Sequence, residues 1–216
     1  MVFNLSEHNN IGQRFIGELR DIHIQKDRMR FRRNMERLGE ILAYEISKTL
    51  KYHTIKVETP LGVTNVHVPL QQVVLGTILR AGLPLHQGML NYFDDAGNAF
   101  VSAYRKHHKD GTFEIESGYV SCPKLDGSVL LLSDPMLATG ASISLAAEEL
   151  MKHGEPAALH FVTAIASSAG LEHVQRIFPK ASVWMGALDD ELTAKSFIVP
   201  GLGDAGDLSF GEKVQD

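Results

Sequence analysis

Residues 128–142 read SVLLLSDPMLATGAS: an apolar run ending on Ser133, an acid at Asp134, then a turn of small residues. The chain continues as SISLAAEELMKHG (142–154), whose alanine-rich apolar spacing predicts a helix closed by Gly154. Downstream, LHFVTAIA (159–166) and ASVWMGAL (181–188) read as strands, with LEHVQRIF (171–178) as the helix between them. Strands of near-continuous apolar character alternating with helices predict a parallel sheet covered on both faces. The fold class is therefore α/β.

Working back toward the N-terminus, VVLGTIL (73–79) reads as a strand that runs into the loop Arg80-Ala81-Gly82, and a short helix follows near 85–93. AFVSAY (99–104) and FEIESGYVS (113–121) are further strands. Phe31, Met35, Leu38, Leu42 and Ile46 recur every three or four residues, one apolar stripe along a helix. TIKVET (54–59) and VTNVHVP (63–69), joined through Pro60-Leu61-Gly62, read as a β-hairpin. The expectation is one domain over 1–216, with a core sheet at roughly 70–188. The glycine-rich segment 189–216 is expected to form a lid or loop region on that sheet.

Bulk properties narrow the function classes. With 44% apolar and 22% charged residues, the 216-residue chain has the composition of a soluble globular protein. Cys122 is the only cysteine, so no internal disulfide forms, and a cytoplasmic setting is expected. No signal-peptide pattern and no long apolar span occur, so no membrane role is expected. A net charge of −5 argues against nucleic-acid binding, and the basic residues between Arg28 and Arg37 read as a solvated helix face. Ten histidines are present, but none has metal-ligand spacing, so no protein-held metal is expected.

In a parallel α/β sheet, ligands sit outside the carboxyl ends of the strands. The turn Ala138-Thr139-Gly140-Ala141-Ser142 presents successive amides and a helix N-terminus there, a cradle for a phosphate, with hydroxyls at Thr139 and Ser142. The chain has no GxxxxGK[ST], so this is not a nucleoside-triphosphate loop. On these residues alone, an ordinary strand-to-helix connection capped by Ser142 stays open.

The string SDPMLATGAS resembles the binding motif for phosphoribosyl pyrophosphate (PRPP) in phosphoribosyltransferases. Its proline after the acid is the form found in uracil phosphoribosyltransferases. TILRAGLPLHQGML (77–90), Tyr104-Arg105, FIVPGLGDAGDLSFG (197–211), LAYEISKTL (42–50) and VETPLG (57–62) are similar to the same family in the same order. The resemblance implies a type I phosphoribosyltransferase fold with an N-terminal helix, a β-hairpin and a C-terminal base-binding hood. The implied reaction makes UMP and pyrophosphate from uracil and PRPP, as a step of pyrimidine salvage. It also implies that Asp134, Pro135, Met136, Leu137, Ala138, Thr139, Gly140, Ala141 and Ser142 hold PRPP together with Arg80, Arg105 and Asp204. Asp134 and Arg105 are the implied catalytic pair, Asp134 facing the ribose hydroxyls and Arg105 the pyrophosphate. Ile198, Gly203, Asp204 and Ala205 are the implied uracil contacts, where glycines let the main chain approach a flat base. Magnesium is implied as a companion of the pyrophosphate, a homo-oligomer as the assembly and GTP as an effector.

GLGDAG (201–206) spells the dinucleotide fingerprint, but it follows no clear strand, opens no expected helix and leaves ten residues for a βαβ unit. Four places depart from the family pattern: Ala141 for a second glycine, Pro84 for a glycine, Lys106-His107-His108 for an acidic continuation, and Leu208-Ser209 for a basic and a bulky residue. They motivate one rival, a non-catalytic nucleotide-binding relative. A transferase for another base is opposed by the GLGDAGD loop, and a purely structural protein has no use for two glycine-rich loops.

Overall fold

Every strand expected between 73 and 188 joins one sheet in a computed structural model, which describes residues 1–107 and 113–213, with side chains described outside 103–117. In chain order come β1 (Val2–Asn4), α1 (Gly12–Arg20), α2 (Arg28–Ser47), β2 (Tyr52–Thr59), β3 (Gly62–Pro69), β4 (Val73–Leu79), α3 (Leu83–Leu90), β5 (Gly97–His107) and β6 (Phe113–Ser121). Then follow β7 (Val129–Ser133), β8 (Met136–Leu137), α4 (Ala141–Met151), β9 (Ala158–Ser167), α5 (Ser168–Ile177), β10 (Ser182–Asp189), β11 (Glu191–Leu192), β12 (Ile198–Val199) and α6 (Ala205–Phe210). The main sheet runs β1-β10-β9-β7-β4-β5-β6, with β8 beside β9. All pairings are parallel except β5 with β6.

Period-two alternation divides the apolar residues between two cores. Leu131 faces one side with Leu75, where the stripe Phe31, Met35, Leu38, Leu42 and Ile46 of α2 covers it. Leu130 and Leu132 face the other, against Ile143, Ala146, Ala147 and Leu150 of α4. The α2 stripe is at most 2% exposed, so it is core, each large side chain contributing about 1.5–3 kcal/mol by leaving water. Asp27 caps the start of α2 by accepting the Arg30 amide at 3.1 Å. Arg30 and Arg33 on its outer face pair with Glu18 and Glu36, while Arg32 turns back to the Ser209 carbonyl at 2.7 Å.

Two N-terminal elements were not expected from the sequence. Strand β1 is only three residues long but extends the sheet, in register Val2 with Val183 and Phe3 with Trp184. Helix α1 packs beside α2. Near this edge the Trp184 indole N–H donates to Nδ1 of His160 at 2.9 Å, which puts any proton of the neutral ring on Nε2. Burial, helped by the charge of the N-terminal amine, lowers the His160 imidazolium from 6.5 to about 4. The expected hairpin is β2–β3, a separate ribbon with Ile55 opposite Val66.

Candidate active site

Strands β4 and β7 are neighbours, with Thr77 in register with Ser133, so the loops that leave their carboxyl ends emerge side by side. Arg80-Ala81 follows β4, and Asp134 follows β7. Above them lies a cavity of about 360 Å³. One wall is Ile78 to Ala81; a second is Asp134 and Met136 to Ile143; a third comes from the C-terminal segment, Ser196 to Ile198 and Gly203 to Gly206. Lys213 completes the lining. Segments more than a hundred residues apart in the chain thus meet around one space.

The turn at 138–142 is shaped by Gly140, whose φ of 79° is left-handed and whose own carbonyl then accepts the Ser144 amide at 3.0 Å. Ala141 opens α4 directly after it. The first amides of a helix have no partner within it, so this end faces the cavity as a set of donors carrying partial positive charge. Behind the turn, the Ser167 hydroxyl donates to the Ala138 carbonyl and accepts the Gly170 amide at 2.9 Å. A Cβ on Gly170 would lie 2.4 Å from the Ala138 carbonyl oxygen, so the start of α5 presses on the turn at backbone distance.

Asp134 is fixed at its amide by the Val162 carbonyl at 3.1 Å. Among the described residues its carboxylate accepts only the Met136 amide, at 3.4 Å. Burial raises this carboxyl from 3.8 to about 7, and the single weak amide bond opposes that rise only in part. An acid held half-protonated near neutrality at a cavity mouth is suited to accept hydrogen bonds from ligand hydroxyls or to meet a cation.

Arg80 reaches the C-terminal segment, donating from Nη2 to the Gly211 carbonyl at 3.1 Å, with Asp207 at 3.5 Å. Across the cavity, Ile198 is buried and pairs through β12 with Leu192 of β11. Asp204 caps α6, accepting the Asp207 amide at 2.9 Å. The sequence expectation that GLGDAG opens no helix is corrected here: α6 begins at Ala205. The motif is still no dinucleotide site, because β12 is a two-residue antiparallel strand and α6 has six residues.

Of the expected site residues, Arg80, Asp134, Met136 to Ser142, Ile198, Gly203, Asp204 and Ala205 all line the cavity. Pro135 does not: it is buried, and its carbonyl accepts the amides of Ala164 and Ile165. Arg105 lies on β5, and its side chain falls outside the described residues, as do those of Lys106 and His107; His108 is wholly outside them. Sequence reasoning missed Ser196 and Lys213, which lie outside any period or motif, and Phe197, which opens the family-like stretch 197–211 but was not singled out within it. Among the described residues no group of three or more His, Cys, Asp or Glu is placed to hold a metal. Asp134 and Asp204 both face the cavity, which suits a cation that brings most of its ligands from a bound phosphate and water.

Comparison with known proteins agrees with the sequence motifs. A family profile described as uracil phosphoribosyltransferase matches residues 7–212. The uracil phosphoribosyltransferase of Porphyromonas gingivalis is 48% identical over 214 residues, 99% of each chain. That of Pyrococcus furiosus is 37% identical over 201 residues, 92% of this chain and 85% of the relative. A protein of known structure from Aquifex aeolicus superposes with a TM-score of 0.87 at 29% identity, covering 100% of both chains. By sequence, by fold and by the segments that meet at its cavity, the chain belongs to the uracil phosphoribosyltransferase family.

Proposed function

We propose that the protein transfers the ribose-phosphate of PRPP to a ring nitrogen of uracil, releasing pyrophosphate and forming UMP. The observation that carries this reading is the meeting of three family-like segments, at Arg80, at Asp134 to Ser142 and at Ile198 to Ala205, around one cavity. The 5′-phosphate sits on the amides of the 138–142 turn, with the hydroxyls of Thr139 and Ser142. Asp134 accepts the two ribose hydroxyls, and Arg80 with Arg105 takes the pyrophosphate. Pro135 acts from behind, by fixing the turn to β9. Uracil lies against Ile198 and pairs with the main chain of Gly203, Asp204 and Ala205. Its edge alternates carbonyl and N–H as a peptide does, and cytosine would leave buried groups unpaired.

In the reaction the bond from the anomeric carbon to pyrophosphate oxygen breaks, a bond to the uracil nitrogen forms, and the proton that nitrogen carried is released to the departing pyrophosphate or to water. The leaving group departs with more negative charge than it brought, so fixed cations stabilise the transition state more than the ground state. Magnesium, when bound with the pyrophosphate, neutralises part of that charge. The remaining gain comes from positioning.

Two departures from the family pattern cost nothing, which removes much of the motive for a non-catalytic reading. Among the described residues only Ser196 has a positive φ without being glycine, so Ala141 bears no left-handed strain. Pro84 sits in the first turn of α3, where its missing N–H is harmless. The whole chain acts as one domain in a cytoplasmic setting, with 189–216 as the base-binding region, as a homo-oligomer open to GTP. The buried α2 stripe is not its interface.

The test is UMP formation from uracil, PRPP and magnesium, beside cytosine and hypoxanthine, with and without GTP. Turnover with uracil alone is expected. No turnover under any condition, with UMP still bound, would overturn the reading in favour of a non-catalytic relative.

A further inference from the structure

One of the charged side chains that line the cavity has no part in the substrate contacts proposed so far. Four charged side chains line it among the described residues: the acids Asp134 and Asp204 and the cations Arg80 and Lys213. A substrate with a monophosphate at one end and a pyrophosphate at the other needs cations in excess of acids. The amides of α4 are committed to one phosphate. The Arg80 charge is partly offset by the Asp207 carboxylate 3.5 Å away. Lys213 is the other full positive charge in that lining, and no sequence motif pointed to it.

The chain that carries Lys213 is fastened beside Arg80. The Gly211 amide donates to the Asp207 carbonyl at 2.9 Å, closing α6, and the Gly211 carbonyl takes the Arg80 guanidinium at 3.1 Å. The Arg28 guanidinium borders the same residue, lying 3.4 Å from where a Cβ on Gly211 would stand. Lys213 follows two residues later, an extended chain reach of at most about 7 Å, and its four-carbon stem spans a comparable distance. Two cations anchored through one residue can act on one anion. Lysine suits the task, since a compact charge on a flexible stem can follow a group whose negative charge grows as it leaves.

We propose that Lys213 is a further substrate-binding residue, holding the pyrophosphate end of PRPP together with Arg80. The proposal rests on the cavity being the PRPP site, so its test has an arm independent of turnover. Inorganic pyrophosphate with magnesium is titrated calorimetrically into the full chain and into K213A, K213R and K213E, and UMP is titrated beside it. Pyrophosphate affinity is expected to fall about tenfold in K213A, further in K213E, and to be largely restored in K213R. UMP, which lacks the pyrophosphate, should bind all four within twofold. In steady-state assays KM for PRPP should rise in step, with KM for uracil unchanged. Pyrophosphate affinity within twofold of the unmodified chain in both K213A and K213E overturns the proposal. Failure of the unmodified chain to make UMP would instead overturn the functional reading, and the titration would still decide Lys213.

Discussion

Arg20 and Asp189 form a two-pronged ion pair, Nη1 lying 2.7 Å from Oδ2 and Nη2 lying 2.8 Å from Oδ1. The same pair grips Gly201 at both ends: Oδ2 accepts its amide at 2.9 Å, and Nη1 donates to its carbonyl at 2.9 Å. Helix α1, the end of β10 and the segment proposed to read uracil are thereby tied in one knot. Asp189 is buried, and Arg20 is only 22% exposed.

Breaking that knot should loosen base recognition before it affects phosphate binding. D189N keeps the shape but leaves the Arg20 charge without its partner, at a cost of about 3 kcal/mol. Thermal unfolding should fall by roughly 6–12 °C for a chain of this size. KM for uracil should rise more than KM for PRPP. Equal rises would mean that the pair supports the fold generally and not the base segment.

Asp134 makes the site's function and its stability pull in opposite directions with pH. The unfolded chain loses this proton near 3.8, whereas the folded, ligand-free protein keeps it to about 7. Stability from this group is therefore present below pH 4 and is lost as pH rises toward 7. D134N should abolish most turnover, by about 100-fold or more. It should also unfold at a higher temperature than the unmodified chain at pH 8, the gap narrowing at pH 4. Near-normal activity in D134N would remove the carboxylate from the mechanism.

The contact of α5 with the phosphate turn predicts sensitivity at residues that touch no ligand. Gly170→Ala would force a methyl group against the Ala138 carbonyl, and Ser167→Ala would leave that carbonyl without its donor. Each should raise KM for PRPP by about tenfold through the displaced amides. Affinity for free uracil should hardly move. Unchanged PRPP kinetics in both variants would show that the turn holds its shape unaided.

Restoring the usual family glycine at 141 should not help. Ala141 is the first residue of α4, so Ala141→Gly removes a good helix former without relieving strain. The expected outcome is a loss of up to about 1 kcal/mol by thermal unfolding and activity within twofold. A marked rise in activity would mean that close approach of the substrate, not backbone conformation, limits this position.

How far the sequence could be read follows from the range of each interaction. The strand 129–133, its loop and the following helix were legible because a continuous apolar run and helix periodicity are local signals. So was the α2 stripe. Strand β1 was not, since three residues carry no period, and α1 was missed beside the stronger α2. Helix α6 escaped because glycines and Asp204 read as loop, although an acid before Ala205 is also a helix cap. Arg20 with Asp189 and Ser167 with Ala138 lie beyond any local pattern: their partners are chosen by the fold. Lys213 shows the same limit at the cavity itself.

The indole that donates to His160 belongs to the only tryptophan in the chain. Intrinsic emission excited at long ultraviolet wavelengths therefore comes from one point at the β1–β10 edge, away from the cavity lining. Such a probe should be blind to substrate and responsive to the ring beside it. The unfolded chain charges this histidine near 6.5 and the folded protein only near 4, so acid favours unfolding across that interval. A protonated Nδ1 can no longer accept the indole proton, and the emission should change there in a single step. The molecule thus carries a built-in optical gauge of its own acid limit, readable without any label.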